Sequence, residues 1–290
     1  MAAPGAGFVS LLDGEATALS GAARVGVSEG MRLGAATIVE TGPKTALLRI
    51  DDPGSAAVDL GPATRAMLWP PGFAARGTRA PAVYLLQGWA KISTAADSAL
   101  PALVSPALEL RRLTGVAVVC VEQGETMLFV ESGHAQLIER GNGQDGAALS
   151  LGAGDFYARS GAERGQVMPR PSTALLRRLP PAYRDTLPAR AVSARGSTQA
   201  RPLAAPSYAE LQPWLAAEPA LRRAFPQRFA LRAREPEFRR ALVVHLATHP
   251  EWRGVLFPPE TEAVHTALTL SQAAEGAARP SGFVPPVTRP

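Results

Sequence analysis

The sequence is short of cysteine, lysine, aromatic residues and long apolar runs, and each shortage closes off a class of protein. Its one thiol, Cys120, permits neither an intramolecular disulfide nor a cysteine-built metal centre. Cys120 lies in the run Val116-Ala117-Val118-Val119-Cys120-Val121, where it is expected to be a small buried hydrophobe rather than a reactive nucleophile. No stretch reaches the ~18–20 apolar residues of a helical membrane span. Residues 1–7 show neither a basic nor an apolar leader region, so both an exported and a cytoplasmic protein fit the start of the chain. Catalytic signatures are missing too. There is no G-x-S-x-G, no G-x-G-x-x-G and no Walker loop, and no Ser, His and Asp grouping suggests a triad. The adjacent pair Asp51-Asp52 would face opposite ways in a strand, a poor arrangement for acid–base work. Neither an enzyme site nor a cofactor is expected.

What is present suits a folded chain. At 290 residues, 46% hydrophobic and 19% charged, it can bury a core of ordinary size. Its 27 glycines and 27 prolines imply many turns. Charge is unevenly placed: residues 1–165 carry net −3, residues 166–257 net +9 and residues 258–290 net −1, which together give the overall +5. The basic character belongs to one segment, and nearly all of it is arginine.

Short β-branched and aliphatic runs recur through the first part, at 23–27, 36–40, 46–50, 56–60, 83–86, 117–122, 126–131, 135–139 and 156–159. Turn residues close each of them, among them Asn142-Gly143 and Gly152-Ala153-Gly154-Asp155. The fold class expected is mainly β, a glycine-punctuated sandwich, roll or short solenoid, with a small C-terminal α-helical segment. Residues 95–113 are predicted as an irregular, helix-like interruption. Four regions follow: a β-domain over 8–165, a proline- and arginine-rich linker or strap over 166–206, short helices over 207–257, and a disordered tail over 258–290. Ser207 with Glu210 has capping-box spacing, and Pro219 and Pro236 sit where first-turn prolines sit. Such short helices need a partner surface to be stable.

The passage Gly30-Met31-Arg32-Leu33-Gly34, the strand Thr37-Ile38-Val39-Glu40, the turn Asp51-Asp52-Pro53-Gly54-Ser55 and the strand Val58-Asp59-Leu60-Gly61-Pro62 resemble the FecR domain. Leu86-Gln87-Gly88-Trp89 and the closing Leu151-Gly152-Ala153-Gly154-Asp155 continue the resemblance over about residues 8–165. It implies an exported, periplasm-facing domain that binds a ligand or a protein, in some relatives as the sensor half of an anti-sigma regulator. The family's sigma-binding segment and membrane span have no counterpart here, so that role does not carry over. Ala35 and Pro53 also depart from the family's pattern.

The contact residues expected are Trp69 and Trp89 on the β-domain and Arg222, Arg223, Arg228, Arg239 and Arg240 on the helices. Trp69 and Trp89 are the basis for a carbohydrate reading. The leading expectation is a non-enzymatic cell-envelope protein that binds another envelope protein or an envelope polymer. Its rival is a cytoplasmic protein that binds nucleic acid through residues 170–257. His245 and His249 have the i, i+4 spacing of helical metal ligands, yet the H-E-x-x-H glutamate is missing. His134 is expected in a hairpin turn.

Overall fold

A computed structural model of the chain describes residues 6–52, 56–73, 81–94, 103–141, 146–184 and 200–258. Its trunk is three long strands, β9 (Val83–Thr94), β11 (Leu108–Glu122) and β12 (Glu125–Glu139). β11 and β12 form one hairpin, closed by Gln123 and Gly124 with φ of 52° and 80°. Two positive-φ residues make the tight turn whose twist matches the strands it joins. Halfway along, Gly115 and Gly133 face each other, and a Cβ on Gly133 would lie 1.8 Å from the Thr114 carbonyl oxygen. Glycine is required at that approach.

One edge of β9 pairs with two different strands. Its first half pairs with β8 (Arg65–Leu68) and its second half with β7 (Ala56–Leu60). The change of partner falls at Gly88, where φ is +95° and a Cβ would meet Thr64. From there the sheet forks. One branch runs from β8 through β5 (Ile38–Thr41), β2 (Ala16–Ser20) and β3 (Ala23–Gly26) to β16 (Arg201–Pro202). The other runs from β7 through β6 (Leu47–Asp52) and β1 (Gly7–Asp13) to β4 (Arg32–Leu33). Beyond the trunk, β12 carries β13 (Ala148–Gly152) and β14 (Phe156–Ser160), and β14 carries β15 (Gln166–Met168). Alternate residues of both branches and of the trunk meet in one interior that includes Val9, Leu48, Val58, Val39, Leu85, Val119 and Leu137. Each such aliphatic contributes roughly 1.5–3 kcal/mol by leaving water. The result is a rolled, open sheet.

Its outer face is apolar as well, because the chain covers it with its own C-terminal third. Helix α1 (Thr173–Arg178) and the short turn Pro181–Tyr183 lay Leu175 and Tyr183 over Trp89, Val118, Cys120 and Phe156. Helices α2 (Tyr208–Leu215), α3 (Pro219–Arg222), α4 (Phe225–Arg228), α5 (Pro236–Val244) and α6 (Arg253–Leu256) close over Leu19, Ile38, Met67, Tyr84 and Val104. The partner surface these short helices require is thus the sheet itself. Ser207 and Glu210 form the capping box, and Pro219 and Pro236 occupy first-turn positions.

Several expectations change. Residues 166–184 are not a linker: they form β15, α1 and a one-turn helix packed on the sheet, held by buried Leu175 and Tyr183. Of the predicted excursion 95–113, residues 95–102 lie outside the described residues, and the rest is no helix but β10 (Leu103–Val104) and the start of β11, where Leu103, Leu108, Leu110 and Leu113 face the interior. His134 lies inside β12 rather than in a turn, because Ser132 and Gly133 stay paired with Val116 and Gly115 past a bulge at Glu131. Asn142-Gly143 and the tail from residue 259 lie outside the described residues. Among the described residues no helix is long and apolar enough to cross a membrane.

Candidate functional site: a groove beside the strap

The expected contact tryptophans are both buried, each 3% exposed. Trp69 fills the interior of the roll. Trp89 lies on the outer face, where its indole N–H donates to Glu122 Oε1 at 3.0 Å beneath the Tyr183 ring. Neither offers a ring face to a sugar, so the contact role expected for them is corrected. Strand alternation on β9 turns Trp89 toward the outer core, whereas Trp69 follows the end of β8 at a φ of 42° and joins Leu68 in the inner one.

Most of the expected contact arginines are turned inward. The Arg228 guanidinium donates to the carbonyls of Gly21, Ala36 and Leu19 at 2.7, 2.9 and 2.6 Å. Burial lowers its pKa to about 10, which leaves it charged at neutral pH. Arg222 donates to Thr248 O and lies 3.6 Å from Glu251, and Arg239 donates to Leu256 O at 2.5 Å. These three satisfy carbonyls at the ends of strands and short helices, which leaves them little to offer a partner. Arg223 and Arg240 alone of the five are exposed. Part of the charge on the segment is therefore internal glue, and part of it faces solvent. Bidentate Arg140–Glu218 contacts at 2.7 and 2.6 Å, with Tyr84 Oη donating to Glu218 at 2.8 Å, join helix α3 to the sheet in the same way.

A row of charges crosses the outer face under the strap. Arg49, Asp59 and Lys91 are cross-strand neighbours on β6, β7 and β9, and all are buried. Lys91 Nζ reaches Glu131 at 2.9 Å and donates to the Tyr183 carbonyl at 2.7 Å. Tyr183 Oη in turn donates to the carbonyls of Asp59 and Trp89 at 2.8 and 3.1 Å. Burial pushes the Asp59 carboxyl up to about 6, against the opposing pull of Arg49 and Lys91. The row is closed over by the strap, and its role is to lock the strap to the sheet.

His249 is 3% exposed, with its Nε2 3.0 Å from Tyr208 Oη, whereas His245 is exposed and stacks on the same tyrosine ring. Helix α5 ends at Val244, so the two imidazoles do not share a helical face. Among the described residues no three His, Cys, Asp or Glu side chains group as metal ligands would. Cys120 is fully buried, and that burial raises its thiol pKa well above the usual range.

One part of the outer face is left uncovered. Between β12, β14, β15 and α1 lies an open groove of about 290 Å³. Met127, Phe156, Ala158 and Met168 line its apolar part, and Ala174 of α1 lines it as well. Charge marks the lining, with Glu125 and Arg178 from one pair of elements and Glu163 and Arg164 from the loop before β15. Arg178 is pinned by Glu122 and Glu125. The lining contains no histidine or cysteine; it suits an apolar group held between polar ends. Nothing in the sequence marked this groove. Its residues come from two stretches, 125–127 and 156–178, which the pairing of β12 with β14 and the return of α1 bring together.

The fold and groove together define a mainly β protein with an open, amphipathic surface site. No family model matches the chain, and no curated protein sequence matches it. Two crystal structures, each described as a candidate anti-sigma factor from Parabacteroides distasonis, are similar in part. One is 15% identical with a TM-score of 0.36, the other 13% identical with a TM-score of 0.35. Each alignment takes in 45% of this chain and 57% of the neighbour, so the chain spans little over half of the neighbours' length.

Proposed function

We propose that the chain is a non-catalytic protein of the cell envelope that binds a partner protein through a FecR-like β-domain, in a scaffold or signalling role. The observation that carries the reading is the groove: among the described residues, the C-terminal third covers two apolar areas of the outer face and leaves this amphipathic strip open. A site of that shape, apolar in the middle and charged at its margins, has the anatomy of a modest protein interface. The nucleic-acid reading has less behind it, because Arg222, Arg228 and Arg239 are used up on backbone carbonyls.

A paired capture experiment tests this. Tagged chain and an Ala158→Trp variant, which fills the groove, are incubated with envelope and cytosolic fractions. A protein retained from the envelope by the native chain and lost by the variant supports the proposal. Retention of nucleic acid alone, or of proteins indifferent to the filled groove, overturns it.

A further inference from the structure

The strap that borders the groove has an unusual charge content. Residues 164–184 contain Arg164, Arg170, Arg177, Arg178 and Arg184 and no aspartate or glutamate at all. Arg178 is neutralised by Glu122 and Glu125. The other four are exposed, and none makes an ion pair or a side-chain hydrogen bond among the described residues. In the helical segment, by comparison, Arg222, Arg228, Arg232 and Arg239 are spent on carbonyls, while Arg223, Arg234, Arg240 and Arg253 are exposed. Glu163 stands beside Arg164 in the groove lining, but the excess of unpaired cations over this short stretch still costs self-repulsion. Leu176, between them on α1, is 47% exposed.

From this we infer that the partner contacts the strap and groove through an acidic segment that carries one or two apolar side chains. The inference rests on the proposed partner-binding role and specifies the partner's chemistry. Carboxylates would meet Arg164, Arg170 and Arg177, and an apolar side chain would enter between Met127, Met168 and Ala174, where methionine adapts to its shape. A single-stranded nucleic acid fits less well. The aromatic residues nearby, Phe156, Tyr157 and Tyr183, are at most 1% exposed and give bases nothing to stack on. Strand addition at β15 is not the mode either, since three residues followed by Pro169 and Pro171 make a guarded edge.

Fluorescence anisotropy with the full chain tests the inference. The probes are a labelled twelve-residue peptide of alternating glutamate and leucine, the same peptide with lysine for glutamate, and an oligothymidylate of matched charge. The acidic peptide should bind and the lysine peptide should not. Reversal of Arg164, Arg170 and Arg177 to glutamate should weaken it by roughly tenfold, as three exposed ion pairs would. Replacement of the same three by lysine should keep binding, and Ala174→Trp should weaken it without touching charge. Circular dichroism checks that each variant folds. An oligonucleotide bound more tightly than the peptide and indifferent to Ala174→Trp overturns the inference, as does an acidic peptide that fails to bind. In the last case, envelope capture that depends on an open groove would still support the broader proposal, so the two failures are distinguishable.

Discussion

At the scale of single residues, Asp59 and His249 set opposite pH dependences on the same fold. The Asp59 carboxyl, raised by burial from 3.8 to about 6, holds its proton more tightly folded than unfolded. Its contribution is therefore most favourable below about pH 4 and is lost as pH rises through about pH 6, a swing on the order of 3 kcal/mol. Asp59→Asn should remove that slope and leave the protein no less stable at neutral pH, as read by chemical denaturation across the range. A large loss at neutral pH would show instead that the Arg49 and Lys91 contacts dominate. For His249 the sign is reversed. Burial lowers its pKa below the ordinary imidazole value of 6.5, so the folded state resists protonation and stability falls as pH drops below that value. Glu251 pulls the other way, and Arg222 and His245 add to the effect of burial. His249→Gln should flatten the acid side of the profile, and an unchanged acid limb would argue against this assignment.

Individual elements depend on a few anchors. The strap is fixed by Tyr183, whose hydroxyl serves two sheet carbonyls and whose backbone carbonyl accepts from Lys91. Tyr183→Phe should cost about 1–2 kcal/mol and Tyr183→Ala about 3–5, the second by opening a cavity beside Trp89. Limited proteolysis should show α1 released only in the alanine variant. The prolines of this segment left open a linker or a strap, and over residues 166–184 the structure favours the strap. Pro180-Pro181 here directs the chain into a turn that drops Tyr183 onto the sheet. At the start of α2 the capping box was legible directly, because it is a local device needing only Ser207 and Glu210. Ser207→Ala should lower stability by about 1 kcal/mol in thermal unfolding.

Across the whole molecule, stability comes from a sheet that is apolar on both faces and a C-terminal third that covers one of them. Deletion of residues 207–258 would strip the cover from Leu19, Ile38, Met67, Tyr84 and Val104. The shortened protein should bind a hydrophobic dye and precipitate at concentrations where the intact chain stays in solution. A truncated protein that is monomeric and dye-silent would mean that the helices fold as an independent domain. The Arg140–Glu218 clamp is the polar part of this joint, and a double-mutant cycle should return a coupling of about 0.5–3 kcal/mol.

What the sequence by itself determined is whatever depends on near neighbours: strands closed by glycine, helix caps, first-turn prolines and the burial of Cys120 within an aliphatic run. Even there β2 went unmarked, because the alanine-rich stretch Ala16-Thr17-Ala18-Leu19-Ser20 alternates too weakly to announce a strand. The tertiary structure decided which face of each strand is inner, and with it the fate of Trp69 and Trp89. It decided too that Arg228 caps three carbonyls while Arg164, Arg170 and Arg177 remain free. An arginine's role depends on whether orphan carbonyls lie within reach of its guanidinium, and that is set by contacts between residues some two hundred positions apart. The groove is the same kind of feature: its lining comes from residues 125–127 and 156–178, and only folding brings them to one surface.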